Sequence, residues 1–440
     1  MSLYQPFYNR KIGVVDLTTL STYMVELPLE TCQEHVGGAA INARILAEYE
    51  SDSLVFGTGP LTGTFAPASA LLVGTFRSLR YDHLCHVPFM LRCGPEMKFS
   101  GVDFLVIRGA AKESCAISID RGSVRIVPLT DDRHRTVPEL MQLLKRNAPT
   151  FRTCIAAGPA AEQNSPFAAA SIEGHGSLDR SGLASRMAAK NLKAILFNGI
   201  EGLSIREDHP TLAKAVEKML QDSGARASKG FIPVVRRLPD GEEAAKILRG
   251  KIGRNRACYH CPCPCMTYAG FRKPGDGSEK KGLLLMDHSG WASLSLKSDD
   301  ALPLLHRCLE LGLDPRAAGY GLREDRPLRE SLNAIDRLAT AGASIDDEDY
   351  PSNPDIDTRT YRIFGGGIPP LASGEVWTER VATAMILGVC PIFMQLARRL
   401  NRTDLLRFIS GDAEEIKVMG ERIDREISTL LEGKIPEERV

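Results

Sequence analysis

The segment Ala257–Met266 reads ACYHCPCPCM and contains four of the chain's eleven cysteines. Within it, Cys258, Cys261 and Cys265 follow the spacing C-x2-C-x3-C. Three thiolates at this spacing can surround one face of a cubane iron–sulfur cluster, whose fourth ligand commonly comes from a distant part of the chain. Thiolates are soft ligands that suit the iron of such clusters. The segment therefore predicts a [4Fe–4S] cluster.

Two prolines support this interpretation, and the extra thiol allows a competing one. Pro262 and Pro264 fix φ and exclude helix, which favours a loop that stays open around a cluster. Zinc is the competing metal, because it accepts the same thiolates with His260 or Cys263 completing a tetrahedral site. In that alternative the chain is a zinc-stabilised binding module without redox activity. The pattern leaves open whether Cys263 is a substitute ligand or a neighbour.

A single cysteine, Cys390, lies in the segment Leu387–Pro391, which reads LGVCP. Taken alone, it is typical of a buried core thiol, because free cysteine is among the most buried residue types. The remaining cysteines lack ligand spacing and are expected in the core. They are Cys32, Cys85, Cys93, Cys115, Cys154 and Cys308.

The overall composition is that of a globular protein with ordinary charge. The 440 residues suffice for two or three domains, and 43% are hydrophobic while 25% are charged. The 55 basic and 55 acidic side chains give a formal net charge of zero, so no overall field attracts polyanions and nucleic-acid binding is not expected. Two short basic pairs, Arg236–Arg237 and Arg398–Arg399, are predicted to be solvated surface.

The start of the chain has no apolar segment typical of a signal peptide, and no run of eighteen apolar residues predicts a membrane span. Many cysteines without an export signal favour a reducing compartment, where thiols bind metals more often than they form disulfides. A cytoplasmic protein with no membrane partner is therefore expected.

Two regions with different periodicity predict an α+β fold. Residues 1–205 read as a β-rich domain and residues 206–440 as a helical region that carries the cysteine segment. Polar stretches at Lys273–Lys281 and at 345–358 resemble loops or linkers. The predicted strands are Lys11–Leu17, Ser53–Gly57, Leu71–Thr75, Phe104–Arg108 and Cys115–Ile119. The predicted helices are Ala39–Tyr49, Val137–Arg146, Leu212–Gln221, Leu302–Leu311, Val381–Leu400 and Ala413–Leu431.

A set of motifs, taken in chain order, resembles the aldehyde:ferredoxin oxidoreductase family, whose members carry tungsten or molybdenum on two pterins. The motifs are GGAAINARIL (37–46), FGTGPLTGTFAPAS (56–69), CGPEMKFSGVDFLVIRGAA (93–111), DRSGLASRMAAKNLKAI (179–195), the cysteine segment, CLELGLD (308–314), LGVC (387–390) and GERIDREI (420–427). The resemblance implies an N-terminal β-rich base for the pterins, closed over by helical domains.

The resemblance also implies specific ligands. Cys390 becomes the fourth cluster ligand beside Cys258, Cys261 and Cys265. The implied cofactor-binding positions are Gly37, Gly38, Arg92, Gly94, Arg180, Ser181, Gly182, Leu313, Asp314 and Val389. Glycines at such positions let the backbone approach phosphates and a flat ring, since no Cβ intrudes. Ordinary turn glycines are the alternative.

The sequence departs from the family pattern in its N-terminal half. Ala39 stands where the family has arginine, and Leu71 replaces an arginine that bridges pterin and cluster in typical members. Arg92 lies near the place of a residue that helps to bind magnesium between the pterin phosphates. A guanidinium there could neutralise phosphate directly, with a surface arginine as the alternative.

Further departures concern pterin recognition and catalysis. Leu309 and Met385 replace the aspartates that open the two pterin motifs, while Asp314 remains as a hydrogen-bond acceptor. Between residues 319 and 377 a polar linker stands where family members carry a catalytic histidine. Asp287 and His288 lie near the family's active-site glutamate and are the candidate acid/base residues. A capped helix start is the alternative for this pair.

The resemblance implies an oxidoreductase that passes electrons between a tungsten- or molybdenum-pterin centre and an external carrier, through the [4Fe–4S] cluster. Its implied partners are ferredoxin or another redox protein and a small carbonyl-type substrate, in a homodimer or a hetero-complex. The alternative is a degenerate paralogue that keeps the cluster and serves as an electron-transfer or scaffold subunit.

Overall fold

The structure is a computed structural model that describes residues 7–130, 135–148, 150–200, 202, 209–222, 230–272, 280–297, 300–322, 326–343 and 356–436. Its strands are β1 (Lys11–Asp16), β2 (Ser21–Glu26), β3 (Leu54–Thr58), β4 (Leu72–Arg77), β5 (Leu84–Phe89), β6 (Phe104–Arg108), β7 (Cys115–Asp120), β8 (Ser123–Pro128), β9 (Thr153–Ala156), β10 (Ser171–Ile172), β11 (Leu192–Asn198), β12 (Ile252–Arg256), β13 (Met266–Arg272) and β14 (Lys280–Leu285).

The helices of the first half are α1 (Leu29–Glu34), α2 (Gly38–Leu46), α3 (Cys93–Phe99), α4 (Val137–Asn147), α5 (Pro159–Glu162) and α6 (Leu183–Ala189). Those of the second half are α7 (His209–Asp222), α8 (Phe231–Val235), α9 (Gly241–Lys246), α10 (His288–Ser295), α11 (Ala301–Leu311), α12 (Pro315–Gly321), α13 (Leu328–Leu338), α14 (Thr358–Ile363), α15 (Gly374–Leu387), α16 (Pro391–Leu396), α17 (Arg402–Leu406) and α18 (Ala413–Glu432). The predicted α+β class is confirmed, with strands concentrated in the first half.

Two mixed sheets form the first half. The six-stranded sheet has the order β2-β1-β6-β3-β4-β5, and the five-stranded sheet has the order β10-β9-β11-β7-β8. Strands β3 and β5 are buried along their whole length, and helices α2 and α3 both pack on the β3–β4 pair. Strands covered on both faces read as continuous apolar runs rather than as an alternating pattern.

One hydrophobic core continues from these sheets into the helical half, because buried residues from Tyr8 to Leu430 form a single cluster. A second, small cluster lies between α4 and the five-stranded sheet. The predicted domain boundary at residues 205/206 falls within residues 203–208, which lie outside the described part, and it remains a prediction.

The helical half contains a three-stranded antiparallel sheet, β12-β13-β14, that the sequence did not predict. The loop predicted at Lys273–Lys281 was wrong at its last two residues. Lys280 and Lys281 begin β14 because they pair with Arg272 and Phe271 of β13. Residues 273–279 lie outside the described part, as does most of the predicted linker 345–358. Within that linker, Thr358 already begins α14.

The helix predicted over Val381–Leu400 is in fact two helices. Gly388 ends α15 in a left-handed conformation with φ +86°, the usual conformation of the residue that follows a helix. Pro391 then occupies the first position of α16, where its missing N–H costs nothing. Cys390 lies at the corner between the two helices. Along the described residues, no helix is both long and apolar enough to cross a membrane.

Candidate iron–sulfur and cofactor site

The cysteine segment forms the loop between β12 and β13. Backbone hydrogen bonds shape its turns: the N–H of Cys261 donates to the carbonyl of Cys258 at 3.1 Å, and that of Cys265 to the carbonyl of Cys263 at 2.7 Å. Cys261 is half-buried and the other three thiols are buried. The loop conformation expected from its two prolines is therefore observed.

Ala68 joins this loop to Cys390. Its N–H donates to the carbonyl of His260 at 2.9 Å, and its carbonyl accepts the N–H of Cys390 at 2.9 Å. One residue of the segment between β3 and β4 thus holds both cysteine-bearing segments by backbone hydrogen bonds. The methyl side chain of Ala68 takes no part in these hydrogen bonds. In the sequence, only the surrounding motif at residues 56–69 could indicate the role of this residue.

Burial raises the pKa of all four predicted cluster ligands, to about 12 for Cys258. After burial, the next cause for Cys258 and Cys265 is the negative charge of the Cys390 thiolate. For Cys261, the charges of Cys258, Cys390 and Cys265 follow in that order. These raised pKa values keep the four groups protonated near pH 7, so all four would ionise only beside a cationic centre that offsets their charge.

Backbone N–H groups surround two of these sulfurs. The N–H of Leu91 points to Cys258 Sγ at 3.4 Å, and the N–H groups of Ile392 and Phe393 lower the pKa of Cys390. Hydrogen bonds to ligating sulfurs help to set the reduction potential of iron–sulfur clusters. Thiol sulfurs with backbone N–H groups against them are the donor chemistry that a [4Fe–4S] cluster takes, and the cluster itself remains a prediction. Across the described residues, no three His, Cys, Asp or Glu side chains are grouped so that they could hold a single metal ion.

A buried ion network lies at the predicted catalytic and pterin positions. Arg180 Nη2 is 2.5 Å from Asp287 Oδ2, and Arg180 Nε is 3.1 Å from Asp314 Oδ1. The three side chains are between 1% and 6% exposed. Burial raises the pKa of Asp287, the positive charge of Arg180 lowers it, and the negative charge of Asp314 raises it. Three positions that the sequence assigned to two different roles thus form one ionic unit.

Both carboxylates also cap helices. Asp287 Oδ1 accepts the N–H of Gly290 at the start of α10, and Asp314 Oδ1 accepts the N–H of Arg316 at the start of α12, each at 2.9 Å. Helix capping by aspartate stabilises the first turn by about 1 kcal/mol. The capped helix start that the sequence offered as the alternative for Asp287 is present in the structure.

The space beside these carboxylates is small. A cavity of about 10 Å³ is bordered by Asp287, Asp314, Asp179 and Leu309. Such a volume holds about one water molecule, whereas pockets for small molecules measure about 300–1,000 Å³. In this conformation Arg180 already binds the Asp314 carboxylate that the sequence predicted as a hydrogen-bond acceptor for a pterin.

His288 lies between this network and the cysteine loop. It is fully buried, its Nε2 donates to the carbonyl of Cys265 at 3.0 Å, and its ring stacks on Phe231 at 4.5 Å between centroids. Its Nδ1 has no hydrogen-bond partner. Burial lowers the pKa of His288 to about 4, so the ring is neutral near pH 7. Asp287 and His288 stay predicted catalytic residues, and their observed contacts are structural.

Three of the predicted cofactor glycines permit close packing of the protein on itself. A Cβ at Gly38 would lie 1.9 Å from the carbonyl oxygen of Met385, and one at Gly94 would lie 2.3 Å from that of Leu71. At Gly37 a Cβ would lie 2.2 Å from the hydroxyl of Tyr8. Any larger residue would therefore separate α2 and α3 from their neighbours.

Gly182 differs from these glycines, since a Cβ there would meet nothing within 4 Å. The N–H of the adjacent Ser181 donates to Asp179 Oδ1 at 3.1 Å. Arg92 is half-exposed and binds Glu96 Oε1 through Nε and Nη2 at 2.9 and 2.6 Å. The space beside Gly182 is thus open to a ligand. Arg92, by contrast, already has a carboxylate partner.

The remaining motif positions are apolar and buried. Leu309 and Met385, which replace the family's aspartates, are 7% and 0% exposed. Leu313 is buried and forms a β-bridge with Ala168, and Val389 is buried beside Cys390. Leu313 and Val389 remain predictions for cofactor binding, and none of these four side chains carries a strong hydrogen-bond donor or acceptor.

Comparisons with known proteins show what the chain is similar to. A sequence model of the N-terminal domain of aldehyde ferredoxin oxidoreductases matches residues 12–199, which contain both mixed sheets. The chain is a homologue of the aldehyde ferredoxin oxidoreductases. This resemblance, predicted from the motifs, is confirmed.

Two relatives and one solved structure illustrate the extent of the homology. The tungsten-containing aldehyde ferredoxin oxidoreductase of Pyrococcus horikoshii is 28% identical over 240 residues, which cover 49% of this chain and 39% of that protein. The Pyrococcus furiosus enzyme of the same name is 26% identical over 366 residues, covering 75% and 57%. The match therefore spans less than two thirds of these relatives.

The solved structure is the active-site complex BamBC of benzoyl coenzyme A reductase with 1,5-dienoyl-CoA. It superposes with a TM-score of 0.72 at 16% identity, over 97% of this chain and 89% of that chain. Identity this low shows a shared fold alone. Since this match covers almost the whole chain, the helical half shares the fold as well as the sheets.

Proposed function

We propose that this homologue of the aldehyde ferredoxin oxidoreductases is an iron–sulfur electron-transfer or scaffold subunit. Cys258, Cys261, Cys265 and Cys390 would hold its [4Fe–4S] cluster, which supplies one-electron transfer when bound. The observation that carries the proposal is the convergence of two distant cysteine segments on Ala68. The role of the protein is to fix the four sulfurs, exclude water from them and place N–H groups against them.

The arrangement of the pterin positions favours a subunit without its own catalytic centre. Asp314 is engaged by Arg180, and the cavity at its side admits about one water molecule. The side chains of Leu309 and Met385 offer no strong hydrogen-bond donor or acceptor to a pterin ring. A buried polar group of a ligand left without partners costs about 1–3 kcal/mol, so binding of two pterins would be weak.

A second candidate is the complete enzyme of the family, with a tungsten- or molybdenum-pterin centre and a small carbonyl-type substrate. Two observations favour it: the relatives described above are tungsten-containing enzymes, and the surface at Gly182 is open. In that case Asp287 and His288 would serve as acid/base residues after Asp287 separates from Arg180. This candidate requires a rearrangement that the first does not.

An electron-transfer subunit requires a redox partner, and we propose ferredoxin or another redox protein. The BamBC structure is a complex, which supports a hetero-complex over a homodimer for this chain. Free thiols at all eleven cysteines suit a reducing compartment, so we propose a cytoplasmic location.

The test is the content of iron, tungsten, molybdenum, zinc and pterin per chain, measured after anaerobic purification from a host that assembles bis-pterin cofactors. Near four iron atoms without heavy metal or pterin supports the electron-transfer subunit. Four iron atoms with one tungsten or molybdenum and two pterins would establish the complete enzyme instead. Colourless protein with one zinc would overturn both candidates in favour of the zinc-stabilised module.

A further inference from the structure

A cavity of about 710 Å³ is lined by residues of α1, α2 and α18. Its size falls within the range of about 300–1,000 Å³ that small-molecule sites occupy. None of the described residues that line it is a predicted ligand of the cluster or of the pterins. The proposed function therefore assigns this cavity no role.

Helix α18 turns a charged face toward the cavity. Arg422, Arg425, Glu426 and Thr429 line it, and residues three and four positions apart lie on one side of a helix. Three of these residues belong to the closing motif GERIDREI at 420–427, which the proposed function does not use. The cavity thus gives this motif a surface on which it can act.

Glu426 is a buried acid of the cavity wall. Its side chain is 6% exposed, and Oε1 accepts the N–H of Val36 at 2.7 Å and lies 3.5 Å from His35 Nδ1. Its second oxygen, Oε2, has no hydrogen-bond partner. A buried acceptor without a partner is destabilising, so a hydroxyl group of a ligand would supply the missing donor.

Arg44 of α2 is the complementary case in the same wall. Its Nη2 lies 3.1 Å from Glu48 Oε1, with side chains 33% and 50% exposed. Its Nη1 is buried and has no hydrogen-bond partner. The wall thus contains one donor and one acceptor that the protein itself leaves unsatisfied. A side-chain rotation of the kind common on binding brings such atoms to a ligand.

The charges of the cavity favour an anion. Three guanidinium groups line it, those of Arg44, Arg422 and Arg425, beside the carboxyl groups of Glu34 and Glu426. Arg425 is exposed and forms no ion pair within the described part of the chain. Burial raises the pKa of Glu426, which reduces the opposing negative charge. Guanidinium groups bind carboxylates through two parallel hydrogen bonds.

The positions of the arginines favour two separate anionic groups over one compact ion. Arg44 approaches from α2, whereas Arg422 and Arg425 approach from α18, and the two helices pack on each other. Axes of packed helices lie about 8–10 Å apart, so a short ligand with a carboxylate at each end can bridge them. Glu426 lies one turn from Arg422 and accepts from the middle of such a ligand.

We propose that this cavity binds a short hydroxy-dicarboxylate. One carboxylate binds Arg44, the other binds Arg422 and Arg425, and the hydroxyl group donates to Glu426 Oε2. Binding satisfies both of the unpartnered atoms in the wall and leaves no new charge uncompensated. The inference goes beyond the proposed function and does not depend on the presence of a cluster.

The experiment is calorimetric titration of the anaerobically purified full chain near neutral pH. Both enantiomers of malate are the probes, and succinate is the matched compound because it lacks only the hydroxyl group. Inorganic phosphate tests a compact anion. The variants are Arg44→Met, Arg425→Met and Glu426→Gln. The control is Arg407→Met, an exposed arginine that pairs with Asp404 and does not line the cavity.

The expected result is that one malate enantiomer binds about tenfold or more tightly than succinate, because only malate supplies a hydroxyl donor. Arg44→Met and Arg425→Met should each weaken malate binding about tenfold or more. Glu426→Gln should reduce the affinity for malate to that for succinate. The control should stay within about twofold of the wild type, and circular dichroism checks that each variant is folded.

Four outcomes would overturn the inference. They are no malate binding to the wild type, equal affinity for malate and succinate, tighter binding of phosphate than of malate, and unchanged malate binding in both arginine variants. Arg425→Met keeps the test decisive if a variant of the cavity wall does not fold, because Arg425 is exposed. None of these outcomes bears on the cluster, which the metal content tests separately.

Discussion

Arg180 and Asp287 form an ion pair of 2.5 Å in which neither side chain is more than 6% exposed. The pair connects the segment before α6 to the start of α10, and Asp314 completes it from the start of α12. Breaking a buried ion pair by removing one partner is costly, because the other charge stays buried without compensation.

Arg180→Met should therefore lower the free energy of unfolding by about 3–5 kcal/mol, measured by denaturant titration. Arg402→Met is the control, since Arg402 pairs with Asp424 at the surface and its loss should cost about 1 kcal/mol or less. Equal stability of the two variants would show that the buried network contributes no more than a surface ion pair.

The same variant should also depend on pH in a defined direction. Burial raises the pKa of Asp287 above 3.8, and removing Arg180 takes away the charge that opposes the rise. A carboxyl whose pKa is raised in the folded state stays protonated to a higher pH there than in the unfolded state. Ionising it in the folded protein costs free energy, so the free energy of unfolding falls as pH rises through that range. The deficit of Arg180→Met should therefore be larger at pH 7 than at acid pH. A deficit independent of pH would exclude this origin.

Replacing cluster ligands should abolish iron binding. Cys390→Ser removes one of four thiolates, and we expect most of the iron and the visible absorbance to be lost after anaerobic purification. Cys154→Ala is the matched control, because Cys154 is a fully buried thiol of the small core cluster beside α4. Full iron content in Cys390→Ser would mean that another residue, Cys263 first, completes the site.

Gly38→Ala tests the close approach of α2 to α15. The added Cβ would lie 1.9 Å from the carbonyl oxygen of Met385, and φ at Gly38 is +50°. The steric clash and the positive φ together should lower the free energy of unfolding by more than about 2 kcal/mol. Gly411→Ala, where a Cβ meets nothing within 4 Å, should change stability by less than about 1 kcal/mol. Comparable values for both variants would contradict the packing role.

His86 should make the protein sensitive to acid. Its ring is fully buried, Nδ1 is 2.9 Å from Thr75 Oγ1, and burial lowers the pKa of His86 to about 3. The unfolded state takes up a proton below about pH 6.5 that the folded state refuses, so stability falls with falling pH by about 1.4 kcal/mol per unit.

His86→Gln removes this group, so the slope of the free energy of unfolding against pH should fall by about 1.4 kcal/mol per unit between about pH 6 and pH 4. The half-buried His83, whose pKa burial also lowers, provides a comparison, and His83→Gln should act over a narrower pH range. An unchanged slope in His86→Gln would show that the ring becomes protonated in the folded protein.

The sequence predicted the parts of the fold that depend on local pattern. Alternating or continuous apolar runs located β1, β3, β4, β6 and β7, and helical periodicity located α2, α4, α11 and α18. It failed where long-range pairing decides the structure. Lys280 and Lys281 are polar, yet they form a strand because β13 offers them partners.

The candidate site divides in the same way. Cysteine spacing identified Cys258, Cys261 and Cys265, and only motif resemblance added Cys390. No local signal could show that Arg180 binds Asp287 and Asp314, because three separate segments meet there.

The backbone bridge through Ala68 has a consequence for how the protein responds to oxygen. A cluster bound at this bridge would cross-link residue 258 to residue 390 through metal–sulfur bonds, enclosing strands β13 and β14 and helices α10–α15 in one covalent loop. Closing a long loop reduces the entropy of the unfolded chain, so the free energy of cluster binding adds to the free energy of unfolding. Oxidative loss of the cluster would open that loop, and the helical half would become the first part of the molecule to unfold.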